Sequence, residues 1–88
     1  MLEQIGNDPS RWDGTHIQFI PTGIVKGQKT SRWNIESKYG GFLGEIKWFA
    51  KWRKYSFFPE PDCIFEETCM RDLSQFIEDR TLEHKAGI

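Results

Sequence analysis

The residue types that carry most protein chemistry are thinly spread in this chain. Two cysteines, Cys63 and Cys69, have five residues between them, and two histidines, His16 and His84, stand near opposite ends. A cysteine nucleophile needs a base and an orienting group. Cys69 instead shares a stripe with Met70, Leu73, Phe76 and Ile77, where a thiol serves as a small apolar group, and Cys63 reads as a packed loop residue. Acids occur in pairs: Glu60 and Asp62, Glu66 and Glu67, Glu78 and Asp79. Adjacent acids on a helix point in different directions, and acids at a helix start complement its dipole, so neither pattern requires acid–base catalysis. Gly40-Gly41-x-x-Gly44 enters a strand, whereas a phosphate cradle opens onto a helix N-terminus. The chain is therefore read as non-catalytic, with no cofactor, no metal and no evident small-molecule substrate.

One segment does carry binding chemistry. Lys47-Trp48-Phe49-Ala50-Lys51-Trp52-Arg53-Lys54-Tyr55 interleaves four cations with four aromatics. Cations neutralise phosphates, and aromatic rings offer faces for stacking or cation-π contact. The elements that must position this segment are strands. In residues 31–37, Trp33 and Ile35 alternate with Arg32, Asn34 and Glu36, the period of a half-buried strand. Lys38-Tyr39-Gly40-Gly41 makes a turn, and in 42–49 the same reading puts Phe42, Ile46 and Trp48 on one face and Leu43, Glu45, Lys47 and Phe49 on the other. A second turn at 50–53 leads into 54–58, with Tyr55 and Phe57 inward and Lys54, Ser56 and Phe58 outward, before Pro59 and Pro61 end the strand.

A helix over about residues 66–83 follows from the spacing of Cys69, Met70, Leu73, Phe76 and Ile77, with Thr68 as its cap. Its apolar stripe must cover the face carrying Trp33, Ile35, Phe42, Ile46, Trp48, Tyr55 and Phe57. The opposite face then stays open. Arg32, Leu43, Lys47, Phe49, Lys54 and Phe58 lie on it, with Lys51, Trp52 and Arg53 at its turn, and these nine residues are the candidate partner-binding surface. An uncovered apolar patch of Leu43, Phe49, Trp52 and Phe58 points to a protein partner or a second copy of the chain, which an edge strand would also allow. The interleaved cations make nucleic acid the alternative partner.

The rest of the chain is less informative. Residues 1–15 hold turn formers without a sustained period and read as a loose arm pinned by Trp12; His16 to Ile20 suggests at most a short edge strand, and Lys26 to Lys29 a turn. Residues 16–88 form one domain, expected to be α+β: a three-stranded antiparallel meander, with a possible short N-terminal strand, packed on one C-terminal helix. A chain of 88 residues is too short for two cores, and four Trp, two Tyr and seven Phe supply the large side chains that a small core needs. No apolar run approaches a membrane span and no leader pattern opens the chain, so a cytoplasmic protein without a membrane partner is expected. The net charge of -1 excludes a wholly basic coat protein, yet it hides a partition. Residues 1–23 sum to -2, residues 24–54 to +6 and residues 55–88 to -5.

Two resemblances attach to these residues. The string Trp33…Gly44-x-Ile46-Lys47-Trp48-Phe49-x-x-Trp52-Arg53-x-Tyr55-x-Phe57-x-Pro59, continued by Phe65-x-x-x-Cys69-Met70-x-Asp72-Leu73-x-x-Phe76-Ile77, resembles a family of small uncharacterised proteins in bacterial and phage genomes. That resemblance implies an accessory, mobile-element type of protein and brings no activity. Trp52-Arg53-Lys54-Tyr55 resembles the signature of plant WRKY transcription factors, whose sheet enters a DNA groove and is held by a Cys-Cys-His-His zinc site. Here Ser56-Phe57-Phe58 follows the signature, Cys63 comes too soon and no His-x-His pair exists, so this second similarity is read as accidental.

Overall fold

A computed structural model of the protein describes residues 12–22 and 29–87. The sheet runs β1 (Trp12–Asp13), β2 (Ile17–Pro21), β3 (Trp33–Ser37), β4 (Phe42–Phe49) and β5 (Lys54–Pro59), neighbours in space as in sequence and antiparallel throughout. Helix α1 (Glu67–Lys85) closes the chain, so the domain is α+β. The expected three-stranded meander is one strand short. Four strands of five to eight residues make the sheet, with the two-residue β1 added outside β2.

The strand expected at most as a short edge element, β2, is central to the core. Phe19 is 0% exposed and Ile17 1%, because β2 lies between β1 and β3 and its inner face meets the helix. A weak alternation closed by Pro21 and Gly23 makes this segment read as an edge, yet Pro21 sits at the strand's last position, where the ladder tolerates it. Residues 1–15 are likewise not all a loose arm: Trp12 and Asp13 pair with Phe19 and Gln18. Gly14 is buried, its N–H donates to the Ile17 carbonyl at 2.8 Å, and the Thr15 N–H donates to the Asp72 carboxylate of α1 at 2.8 Å. The rest of the arm, the Trp12 side chain and most of the turn expected at 26–29 lie outside the described residues.

Period-2 reading also fails at one step of β4. A bulge between Ile35 and Glu36 pairs Ile35 with Gly44 and Glu36 with Phe42, leaving Leu43 as the extra residue. Phe42 therefore leaves the core face and is 45% exposed, while Leu43 packs against the core, the reverse of the alternation expected. Gly44 makes this possible. Its φ of 152° is a glycine conformation, and a Cβ there would stand 2.5 Å from the Phe58 carbonyl oxygen and 2.8 Å from the Phe57 ring.

Aromatic rings carry the contact between sheet and helix. Phe76 stacks on Phe19 at 4.3 Å and meets Trp33 edge-on at 5.0 Å; Trp33 meets Tyr55 at 5.4 Å, Tyr55 meets Trp48 at 5.3 Å, and Trp48 meets His84 at 4.3 Å. Such pairs add about 0.5–1.5 kcal/mol each to the burial of their area. Cys69 and Leu73 complete the helix's inward stripe. The helix starts one residue later than expected and runs two residues further. Glu66, not Thr68, is the N-cap, its carboxylate accepting the Cys69 N–H at 2.7 Å, and that hydrogen bond holds the Glu66 carboxyl below its ordinary range.

Two substitutions test this account in urea unfolding. Gly44→Ala should cost at least about 2 kcal/mol, because the clash is with backbone and φ is positive. Phe76→Ala should cost roughly 3–5 kcal/mol. A loss under about 1 kcal/mol for either would remove the bulge or the ring contact from its assigned place.

Candidate functional site

The sheet face away from α1 presents most of the candidate residues, though their charges are not free. Glu45 lies between Asn34 and Phe58 across the strands. Its carboxylate takes Arg32 Nε at 3.0 Å and Lys47 Nζ at 3.7 Å, so one acid holds both of these cations. Lys47 also stands 4.6 Å above the Phe58 ring. Partly exposed pairs of this kind contribute on the order of 0.5 kcal/mol, so they arrange the face more than they stabilise the fold. Helix α1 covers the other face, and the charge of Arg32 and Lys47 is compensated from within β4 by Glu45.

The turn between β4 and β5 is different. Arg53 takes a φ of 55°; its single backbone N–H, shared between the Phe49 and Ala50 carbonyls at 2.9 and 3.2 Å, and the Trp52 N–H, donating to the Phe49 carbonyl at 3.1 Å, close the turn. The Trp52 indole stands edge-on to Phe49 at 4.8 Å, and Phe49 is edge-on to Phe58 at 6.0 Å. Trp52 is still 66% exposed. Lys51, Arg53 and Lys54 around it are exposed and form no ion pair among the described residues. The structure thus joins Trp52, Phe49, Phe58, Lys47 and Arg32 into one strip with the three turn cations at its end. Leu43 is not part of it, because the bulge turns it inward, and Phe42 stands on this face instead.

A second concave surface lies where sequence reasoning placed nothing. Between β5 and the flank of α1 runs a groove of about 740 Å³, lined mainly by Phe57, Phe65, Met70, Leu73, Ile77 and Leu82. Its strand wall is the free edge of β5. Glu60 N–H bonds back to Leu43 of β4, so alternate residues Tyr55 and Phe57 direct their N–H groups outward. The Tyr55 N–H is taken at 3.1 Å by the Thr81 hydroxyl, and Pro59 has none. Phe57 is left as the outward donor of that stretch. The only trace of this groove in the sequence is the excess of apolar residues on α1, where Met70 and Leu82 stand off the stripe that meets the core and are 58% and 60% exposed.

The remaining reactive groups have structural surroundings. His84 packs on Trp48 in the last turn of α1, and His16 lies 6.4 Å from the Tyr39 ring. Cys63 is half-buried and Cys69 is buried. Burial, then the hydrogen bond and charge of Glu66, push the Cys69 thiol above its ordinary range. Among the described residues no group of three or more His, Cys, Asp and Glu side chains is placed to share a metal ion, and no helix is long and apolar enough to cross a membrane. No protein-family model, curated protein or solved structure matches the chain.

The thiols give a direct check. With Ellman's reagent at neutral pH, the Cys63→Ser variant, which retains only Cys69, should label slowly until denaturant opens the fold. Prompt labelling of Cys69 in the folded protein would contradict its burial.

Proposed function

We propose that the protein is a small, non-catalytic binding module whose working surface is the β4–β5 turn and the open-face strip beside it, and that the partner is a protein. The observation that carries this reading is Trp52: a large indole left two-thirds exposed, braced by Phe49 and set on a closed turn. A pre-positioned exposed tryptophan loses little conformational freedom on docking and is the commonest kind of energetic anchor. Its setting specifies the complement. An apolar pocket with an acidic rim would take the indole and answer Lys51, Arg53 and Lys54. The resemblance of residues 33–77 to small proteins of bacterial and phage genomes suits such an accessory role.

A nucleic-acid partner is the second reading, favoured by the same three cations, which have no ion pair among the described residues, beside a stacking ring. Against it, Arg32 and Lys47 are already held by Glu45, so the strip lacks a run of cations able to follow a phosphate backbone. Self-association by pairing of β5 edges has little support, because Thr81 and Pro59 leave that edge short of donors.

Trp52→Ala should weaken partner capture by about 2 kcal/mol, near thirtyfold, while the unfolding transition moves by no more than about 0.5 kcal/mol. The variant should be run beside wild type in affinity capture with and without nuclease. Retention that survives nuclease and depends on Trp52 supports a protein partner. Retention lost with nuclease, with a log–log salt slope of about -3 for three neutralised phosphates, moves the conclusion to nucleic acid.

A further inference from the structure

We infer that the groove between β5 and α1 is a separate ligand site that takes a fatty acyl chain with its carboxylate at the Lys54 and Lys85 end. The two walls run in opposite directions. The Tyr55 contact to Thr81, with His84 6.2 Å from the Tyr55 ring, brings the start of β5 to the end of α1, so Lys54 and Lys85 share one mouth of the groove. At the far end Phe57 meets Phe65 at 5.3 Å beside Pro59 and Met70. Between them the lining is apolar apart from Ser74, Thr81 and Glu78. The groove is therefore graded, basic at one mouth and apolar beyond.

That gradient fixes the occupant's chemistry. Neither lysine has an acid partner among the described residues, so a negative head is favoured at that mouth, while Glu78 disfavours a second negative group midway. The strand wall argues against a peptide. With the Tyr55 N–H already taken and no N–H on Pro59, an extended segment laid along β5 would find carbonyls for its own N–H groups but only the Phe57 N–H for its carbonyls, and each carbonyl buried without a donor carries a desolvation cost. An acyl chain has no such groups. From Met70 to Lys85 the helix wall is about 22 Å long at 1.5 Å per residue, room for a medium or long chain, and the exposed, flexible Met70 and Leu82 side chains are placed to fold over it.

Calorimetric titration of the full chain with dodecanoate, below its micellar concentration, should show one saturable site. Dodecanol should bind roughly tenfold more weakly, and K85M should weaken dodecanoate by a similar factor. L82D, at an exposed position, should remove binding while the circular dichroism spectrum is unchanged, and W52A should leave binding as it is, which separates this site from the turn. Absence of saturable binding, equal affinity for the alcohol and the acid, or indifference to L82D would overturn the proposal. So would tighter binding of an N-acetylated apolar hexapeptide with a free carboxylate, because the occupant would then be a protein terminus.

Discussion

Phe76 lies flat on Phe19 and edge-on to Trp33, and through these three rings one helix holds β2 and β3 at once. From Trp33 the contact passes to Tyr55 of β5, Trp48 of β4 and His84 at the end of α1, so a single line of rings crosses the sheet and returns to the helix. A domain of this size has few other means of support. It contains no disulfide, and its small core draws its area from rings instead of from a count of aliphatic side chains. Tyr55 adds a polar tie at each end of itself, its N–H to Thr81 and its hydroxyl accepting the Ser31 N–H at 3.1 Å.

Everything on the two outer surfaces follows from where that line of rings sits. Helix α1 packs on the sheet through Phe76, which meets Phe19 of β2 and Trp33 of β3, and is tied to β5 by Thr81 with His84 near the Tyr55 ring; the groove runs along β5 beside these contacts. Because the rings of Trp33, Trp48 and Tyr55 are spent on the inner face, the rings left for the outer face are Phe42, Phe49 and Phe58, with Trp52 at the turn. The bulge at Gly44 decides that Phe42 and not Leu43 joins them.

Charge is organised by the same geometry. Strands and helix carry opposite net charge in the sequence, but they do not compensate each other across the core, where neither sign is welcome. Glu45 compensates Arg32 and Lys47 locally on the open face, Asp72 is used to hold the Thr15 N–H, and Arg80 lies over Phe76 while pairing with Glu83 at 2.7 Å. Among the described residues Lys51, Arg53, Lys54 and Lys85, at the turn and the end of the helix, form no ion pair.

The local pattern by itself determined the elements with strong periods. The alternation of Trp33 and Ile35, the glycine turn before Phe42, the turn at 50–53 and the helical stripe through Cys69, Leu73 and Phe76 are all interactions between near neighbours, and they stand in the structure as read. The candidate surface at the turn was legible for the same reason, since Trp52 and its flanking cations are consecutive. Tertiary structure alone decided three things. Ile17 and Phe19 became core because β1 and β3 flank them, which no pattern within five residues records. Leu43 and Phe42 exchanged faces because a glycine of positive φ shifts register by one residue. The groove forms between β5 and α1, which are joined at one end by Tyr55 and Thr81, 26 residues apart. Each of these is a relation between segments distant in the chain, and periodicity reports only on the segment it is measured in.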